Sequence, residues 1–294
     1  MTNPRSVWIV VLNWNGLADT LACLQSLQQL HYPERRIVVV DNGSTDGSVD
    51  ALRSARSNSG FELIEAGRNL GYAGGNNLGI RHALEHGAEL VWILNNDTTV
   101  ASDALDLLVE ATLADDRVGI AGSVLYHADE PDRIQAWGGG RIGLLGVART
   151  SSAPADRLDF VNGASMLVRS EVFEEIGLLD EHFFFFMEDA DFSRTAARRG
   201  WRLAVAEGAA VRHKVGASVN RDAAGRSLVA DRHLVRASGV FIGKHSGPLL
   251  PLAAPARLAV IALRRVGRRE AARVPALTGE FVRGVRSGFG ARRP

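Results

Sequence analysis

Three continuous apolar runs in the first half of the chain stop abruptly at small polar or acidic residues. Residues 7–12 (Val-Trp-Ile-Val-Val-Leu) run into Asn13-Trp14-Asn15-Gly16. Residues 37–40 run into Asp41-Asn42-Gly43-Ser44-Thr45-Asp46-Gly47-Ser48, and residues 90–94 into Asn95-Asn96-Asp97-Thr98. A strand that is apolar at every position, rather than at alternate ones, is buried on both faces, as in the centre of a parallel sheet. Segments between the runs predict helices over 17–30, from about 46, over 73–86 and over 102–114, with further strands at 61–65 and 118–124. Such alternation predicts an α/β fold with helices on both faces of a mostly parallel sheet. Ligands of these sheets collect at the carboxyl ends of the strands. Asn13, Asp41 and Asp97 are therefore expected on one rim.

The pattern changes after residue 126. A glycine-rich stretch at 135–143 predicts a short β excursion, and 150–156 a polar loop. Ordered structure resumes at 160–168, with a helix at 170–176. Then comes Phe183-Phe184-Phe185-Phe186-Met187-Glu188-Asp189-Ala190-Asp191, an aromatic run that breaks into acids at a predicted helix start. A strand over 209–212 leads into His213, and from about Asn220 the chain is expected to be helical.

Two of these acidic segments suggest chemistry. A carboxylate just past a buried strand, such as Asp97, can hold a divalent cation against a diphosphate. A carboxylate in apolar surroundings can act as a general base, because desolvation and like charges raise its pKa. The plainer reading of Glu188, Asp189 and Asp191 is that acids at a helix N-terminus are stabilised by the partial positive charge there. Asp41 ahead of Asn-Gly likewise suits a turn.

In order and spacing, Leu-Asn-Trp-Asn-Gly, Val-Asp-Asn-Gly-Ser-Thr-Asp-Gly-Ser, Asn-Leu-Gly-Tyr-Ala-Gly-Gly-Asn-Asn, Leu-Asn-Asn-Asp, Asn-Gly-Ala-Ser-Met-Leu-Val-Arg and Phe-Met-Glu-Asp-Ala-Asp-Phe resemble a family 2 glycosyltransferase, near its bacterial rhamnosyltransferase-like branch. The resemblance spans about 7–218. It implies the GT-A fold over 1–219, followed by a basic helical extension over 220–294. It implies a nucleotide-diphosphate sugar donor, a glycan or lipid-linked acceptor and a divalent metal, Mn²⁺ or Mg²⁺. Residue by residue, it places Asn13, Asn15, Asp41, Asn69, Gly74, Asn76, Asn95 and Asn96 around the donor, and Asp97 and His213 on the metal. Asp189 becomes the base, with Glu188 as fallback, and Asn162, Gly163 and Ala164 line the acceptor side. The first position of the metal motif is Asn95 where the family has aspartate, which removes one negative charge. A sugar-phosphate nucleotidyltransferase is the rival reading, and a non-catalytic scaffold a second. The nucleotidyltransferase would carry a basic, glycine-rich phosphate loop where this chain has Asn13-Trp14-Asn15-Gly16.

Charge adds one feature. The net +1 divides into 15 Lys plus Arg against 4 Asp plus Glu from Gly216 onward, and 19 against 29 before it, so +11 follows −10. Residues 248–262 are apolar but interrupted by prolines and Arg257, too short and broken to span a membrane. With the arginines that follow, they suggest either an anionic membrane surface as partner or a helix packed on the catalytic domain. The lone Cys23 excludes an internal disulfide framework and suits a reducing compartment. The expected location is cytoplasmic, peripheral to the inner face of the cell membrane. No nucleic-acid partner is expected, and an oligomer is left open.

Overall fold

A computed structural model describes residues 4–143, 145–155, 157–214, 221–222 and 225–291. Its elements run β1 (Val7–Asn13), α1 (Leu17–Leu27), β2 (Arg35–Asp41), α2 (Ser48–Ser59), β3 (Glu62–Glu65), α3 (Gly71–Glu85), β4 (Leu90–Asn95), β5 (Thr98–Val100), α4 (Ala104–Leu113) and β6 (Val118–His127). There follow β7 (Ile134–Trp137), β8 (Gly139–Ile142), β9 (Ala148–Thr150), β10 (Phe160–Val161), β11 (Ser165–Arg169), α5 (Ser170–Ile176), α6 (Glu188–Arg198) and β12 (Arg202–His213). After a short ribbon, the chain ends in α7 (Leu228–His245), α8 (Leu250–Gly267) and α9 (Val274–Gly290).

The main sheet has the order β3-β2-β1-β4-β11-β6-β12-β5, with β7 paired to β6. From β3 to β4 it is parallel, as the apolar runs predict. β11 then enters antiparallel between β4 and β6, and β12 lies parallel to β6, so the sheet as a whole is mixed. Successive residues of β1 go to opposite faces. Val7, Ile9 and Val11 join the core with α1 and α4, while Trp8 and Val10 join the core with α3, α5 and α6. Each large side chain buried this way stabilises the fold by about 1.5–3 kcal/mol. Cys23 lies in the first of these cores, where burial pushes its thiol up to about 12, so it behaves as a small apolar side chain.

The helix expected over 73–86 starts two residues earlier, at Gly71, and takes in Gly74, Gly75 and Asn76. A Cβ on Gly75 would come 2.5 Å from Leu12, and one on Gly79 2.4 Å from Val10. These glycines let α3 lie close on β1 and β2. Only Gly71 needs its backbone freedom: φ is +76°, and a Cβ there would sit 2.3 Å from the Phe184 carbonyl oxygen.

The three terminal helices form a packed body. Gly239 and Gly243 of α7 meet Gly284 and Gly288 of α9 so closely that a Cβ on any of them would lie 2.0–2.3 Å from a backbone oxygen of the other helix. Several basic residues of this region are internal. Buried Asp231 accepts from Arg265 at 2.7 Å and Arg273 at 3.1 Å, and buried Arg257 donates to Ser238. α7 in turn packs Ala237, Val240 and Phe241 against Phe160, Phe183, Met187 and Ala190. α8 continues through Pro255, and no described helix is long and apolar enough to cross a membrane.

Candidate active site

The carboxyl ends of β1, β2 and β4 face the start of α7 across a cavity of about 480 Å³. Of the residues singled out in the sequence, Asn69, Asn95, Asn96, Asp97 and His213 line it. The rest of the wall comes from Leu12, Trp14, Asn42, Gly71, Tyr72, Phe184 and Phe185, and from Ser227, Val229, Ala230 and His233 at the start of α7.

Strand pairing brings Asp97 and His213 together. The chain turns after β4 into β5, which pairs antiparallel with the end of β12 and sets Thr98 opposite His213. The Lys214 N–H donates to the Asp97 carbonyl at 2.9 Å. The His213 Nε2 then stands 3.2 Å from Asp97 Oδ1. Its Nδ1 stands 3.0 Å from Gln135 Oε1 on β7. A proton on Nδ1 satisfies Gln135 and turns the Nε2 lone pair toward Asp97. Asn95 meets the imidazole through its Nδ2, 3.5 Å from His213 Nε2, and its buried Oδ1 has no hydrogen-bond partner. A carboxylate, an imidazole lone pair and an orphaned amide oxygen fit a divalent cation. Among the described residues no larger cluster of His, Cys, Asp or Glu is available, so remaining coordination positions fall to the substrate or water.

The Asn13–Asp41 corner is organised internally. Asp41 is buried, and Asn13 donates to its Oδ2 at 2.7 Å while the Gly43 and Ser44 N–H groups donate to its Oδ1. Asn13 Oδ1 accepts from Thr20, which also receives the Asn96 amide. Asn15 has φ of +52° and accepts from the Thr45 N–H. These groups shape the floor behind the cavity without lining it. In front of them, Asn42 takes the Leu70 N–H on its Oδ1 and donates to the Gly71 carbonyl, while Asn69 accepts from the Gly71 N–H. Gly74 and Asn76 are buried in α3, away from the cavity wall.

α6 begins after two consecutive non-glycine residues in the left-handed region, Phe186 (φ +75°) and Met187 (φ +68°). Such residues cost on the order of 1–3 kcal/mol each and persist only where the surroundings hold them. The turn separates the three acids. Asp191 is buried against Lys244 and His245 of α7. Glu188 is buried, and its Oε2 has no partner. Asp189 is partly exposed beside the cavity, and its carboxylate accepts from the Gly163 N–H at 2.9 Å and the Ala190 N–H at 2.7 Å. Tyr72, on the cavity wall, donates to the Gly163 carbonyl at 2.6 Å and connects the two. Asn162 accepts from the Ala164 N–H, and the Ala164 carbonyl accepts from Asn95. Residues 162–164 thus join Asp189 to Asn95.

Burial, and then the Asp189 charge, hold the Glu188 carboxyl well above the usual range. Burial also raises Asp189, opposed by its two N–H donors. Burial and the neighbouring acids keep Tyr72 protonated as a donor. Sequence reasoning had assigned no role to Gln135, Asn42, Phe184, Tyr72 or His233. His233 stacks on Phe184 with centroids 4.9 Å apart. Its only sequence signal is that it falls on the first turns of the terminal extension.

Comparison with known proteins agrees with this architecture. A family profile described as glycosyltransferase like family 2 matches residues 4–226, and the chain belongs to that family. It is 29% identical over 195 residues to the low-salt glycan biosynthesis hexosyltransferase Agl10 of Haloferax volcanii, covering 65% of this chain and 61% of that protein. It is 27% identical over 241 residues to the N-acetylglucosaminyl-diphospho-decaprenol L-rhamnosyltransferase of Mycobacterium tuberculosis, covering 72% and 76%. In structure it resembles a mannosyltransferase of Pyrobaculum calidifontis solved with GDP-Man and Mn²⁺, with a TM-score of 0.60 at 20% identity over 99% of this chain and 89% of that one. The GT-A fold expected from the sequence is therefore present, with the helical extension added to it.

The raised Glu188 pKa carries a stability signature. The folded state holds this proton more tightly than the unfolded chain, so the contribution is complete below about pH 4.3 and is lost as pH rises through the folded pKa. Glu188→Gln removes that titration. Its stability should gain on wild type with rising pH, by up to about 1.4 kcal/mol per pH unit across the range where the unfolded chain has released this proton and the folded chain still holds it. Urea unfolding at pH 5, 6.5 and 8 tests this, and a constant gap across the series contradicts it.

Proposed function

We propose that this protein is an inverting glycosyltransferase that moves a sugar from a nucleotide diphosphate to an acceptor hydroxyl. The observation that carries the reading is one arrangement: the Asp97–His213 pair and the orphaned Asn95 oxygen on the cavity wall, with partly exposed Asp189 beside it. Asn42, Asn69 and the start of α3 support the nucleotide side, and the Asn13–Asp41 corner holds that floor rigid. The acceptor hydroxyl approaches from the Gly163 side. Its proton passes to Asp189, its oxygen bonds to the anomeric carbon, and the bond from that carbon to the phosphate oxygen breaks on the opposite face. The nucleoside diphosphate leaves with the bonding pair. Asp97, His213 and Asn95 would hold a divalent cation, which would supply charge stabilisation to the departing diphosphate. The Gly163 and Ala190 N–H groups keep the Asp189 lone pairs aimed while burial raises its basicity.

Rhamnose is the first sugar to test, on the likeness to the mycobacterial rhamnosyltransferase, and a lipid-linked glycan the first acceptor. Such an acceptor places the site at the inner face of a membrane. Leu252, Ala256, Ala259, Leu263 and Val266 support this placement, since their spacing makes one exposed apolar stripe on α8, next to exposed Arg264, Arg268 and Arg269. Leu252 is 74% and Leu263 70% exposed. Shallow insertion of such a stripe beside arginines gives reversible attachment to anionic lipid.

Asp189→Asn should fold, bind donor and lose turnover by about 10²–10⁴, the usual worth of a general base. Nucleoside-diphosphate release from a donor panel measures it, and turnover within a few-fold of wild type removes Asp189 from the role. Asp97→Ala should abolish Mn²⁺-dependent binding of a nucleoside diphosphate and His213→Ala weaken it less, as followed by calorimetric titration. Equal metal affinity in both variants and wild type contradicts the site. The double variant Leu252→Glu/Leu263→Glu should leave turnover on a soluble acceptor intact yet stop flotation with anionic vesicles at low salt. Equal flotation of the two proteins would exclude the α8 stripe as the contact.

A further inference from the structure

The acid segment that carries Asp189 is held from outside the main sheet. The Lys244 ammonium, on the last turn of α7, lies 2.7 Å from Asp180 Oδ2 and 2.7 Å from Asp191 Oδ2. The two carboxylates flank the aromatic run, one before it and one after. Between them lie the left-handed residues Phe186 and Met187 and the acids Glu188 and Asp189. The neighbouring His245 Nε2 lies 2.6 Å from the other oxygen of Asp191. All four side chains are nearly buried, so solvent screens these contacts little. Above them Phe241 packs on Phe183, Met187 and Ala190 and stacks against His245.

We infer that Lys244, with His245, is a positioning residue for catalysis: by bridging Asp180 and Asp191 it pins both ends of the strained turn and so fixes where Asp189 meets the acceptor hydroxyl. This inference rests on the reading of Asp189 as the base. Lys244 adds an ionic tie to the packing of Phe241 across the same turn. The Asp189 carboxylate depends on it, since its second oxygen reaches the Gly163 N–H only while α6 starts at this angle. Relaxing the start of α6 moves Asp189 while leaving Asp97 and His213 in place, because these are held by the pairing of β5 with β12. Lys244 thereby acts on turnover through Asp189, while the start of the same helix lines the cavity.

The test measures kcat, donor KM and melting temperature for Lys244→Met, Lys244→Arg, Asp180→Asn and Asp189→Asn in the full chain, by nucleoside-diphosphate release with the best donor of the panel. Lys244→Met should lower kcat about tenfold to a hundredfold with donor KM changed less than about twofold, the pattern of a displaced catalytic group. Lys244→Arg, which restores the charge and two-pronged reach, should recover part of that loss. Should Lys244→Met fail to fold for want of a counter-charge, Asp180→Asn decides the matter. It leaves the Lys244–Asp191 pair intact and releases one end of the turn, so kcat should fall about threefold to tenfold at unchanged melting temperature. An unchanged kcat in Asp180→Asn, or a rise in donor KM that accounts for the loss, overturns the positioning role. Asp189→Asn separates the two readings: if it keeps turnover, the assignment of the base fails, whereas if it loses turnover while Asp180→Asn does not, only the positioning role fails.

Discussion

Gathering carboxylates in a poorly solvated space is the constraint that shapes this protein. Asp41, Asp97, Glu188, Asp189 and Asp191 converge from distant parts of the chain, and a buried charge costs several kcal/mol unless something compensates it. Each is compensated differently. Backbone N–H groups and Asn13 hold Asp41, and Lys244 and His245 hold Asp191. Asp189 has two N–H donors. Asp97 has His213 and an orphaned amide oxygen nearby, an incomplete set that an added cation completes. Glu188 has an unpartnered oxygen and holds its proton instead. The compensation separates them: Asp41 and Asp191 are fully held, Glu188 is turned inward, and Asp97 and Asp189 are the two that the proposed reaction uses.

The terminal helices enter this scheme because the catalytic sheet does not close its own site. Ser227, Val229, Ala230 and His233 complete the wall of the cavity, and the far end of the same helix satisfies Asp180 and Asp191. α7 spans 18 residues, so at 1.5 Å per residue its two functions lie about 25 Å apart along one rigid rod. The close glycine contacts with α9 keep that rod straight and fixed. Motion of the extension relative to the sheet would therefore be felt at the cavity and at the start of α6 together.

Much of this was legible in the sequence where one short segment carried the whole signal. Residues 7–12 and 37–40 announced both-face burial, since no polar position interrupts them, and the strand ends fell within a residue or two of expectation. Ser170–Ile176 matched its expected bounds because no neighbouring element competes for it. The turn reading of Asp41 was also readable locally, from Asp-Asn-Gly: its Oδ1 takes the two N–H groups of that turn, while Oδ2 takes Asn13. Long-range pairing was not readable. Gln135 reaches His213 only because β7 and β12 flank β6 in the sheet. Lys244 and His233 matter only because α7 folds back, and nothing near them in sequence says so. The use of the α3 glycines was not readable either: residues that permit a turn also permit a helix to approach a strand, and the local pattern does not distinguish the two.

The strain before α6 links these observations. Left-handed Phe186 and Met187 cost free energy that glycines would not. Glycine there would remove that cost, but also the Phe186 and Met187 side chains that pack with Phe183 and Phe241. The packing holds the turn in its unfavourable conformation, and the turn sends Glu188 inward and leaves Asp189 partly open. A relaxed turn would shift α6 relative to Gly163 and mix the environments of the two acids. Four consecutive phenylalanines ahead of three acids are therefore more than apolar filling. They and α7 impose the geometry that buries Glu188 and leaves its neighbour Asp189 partly open.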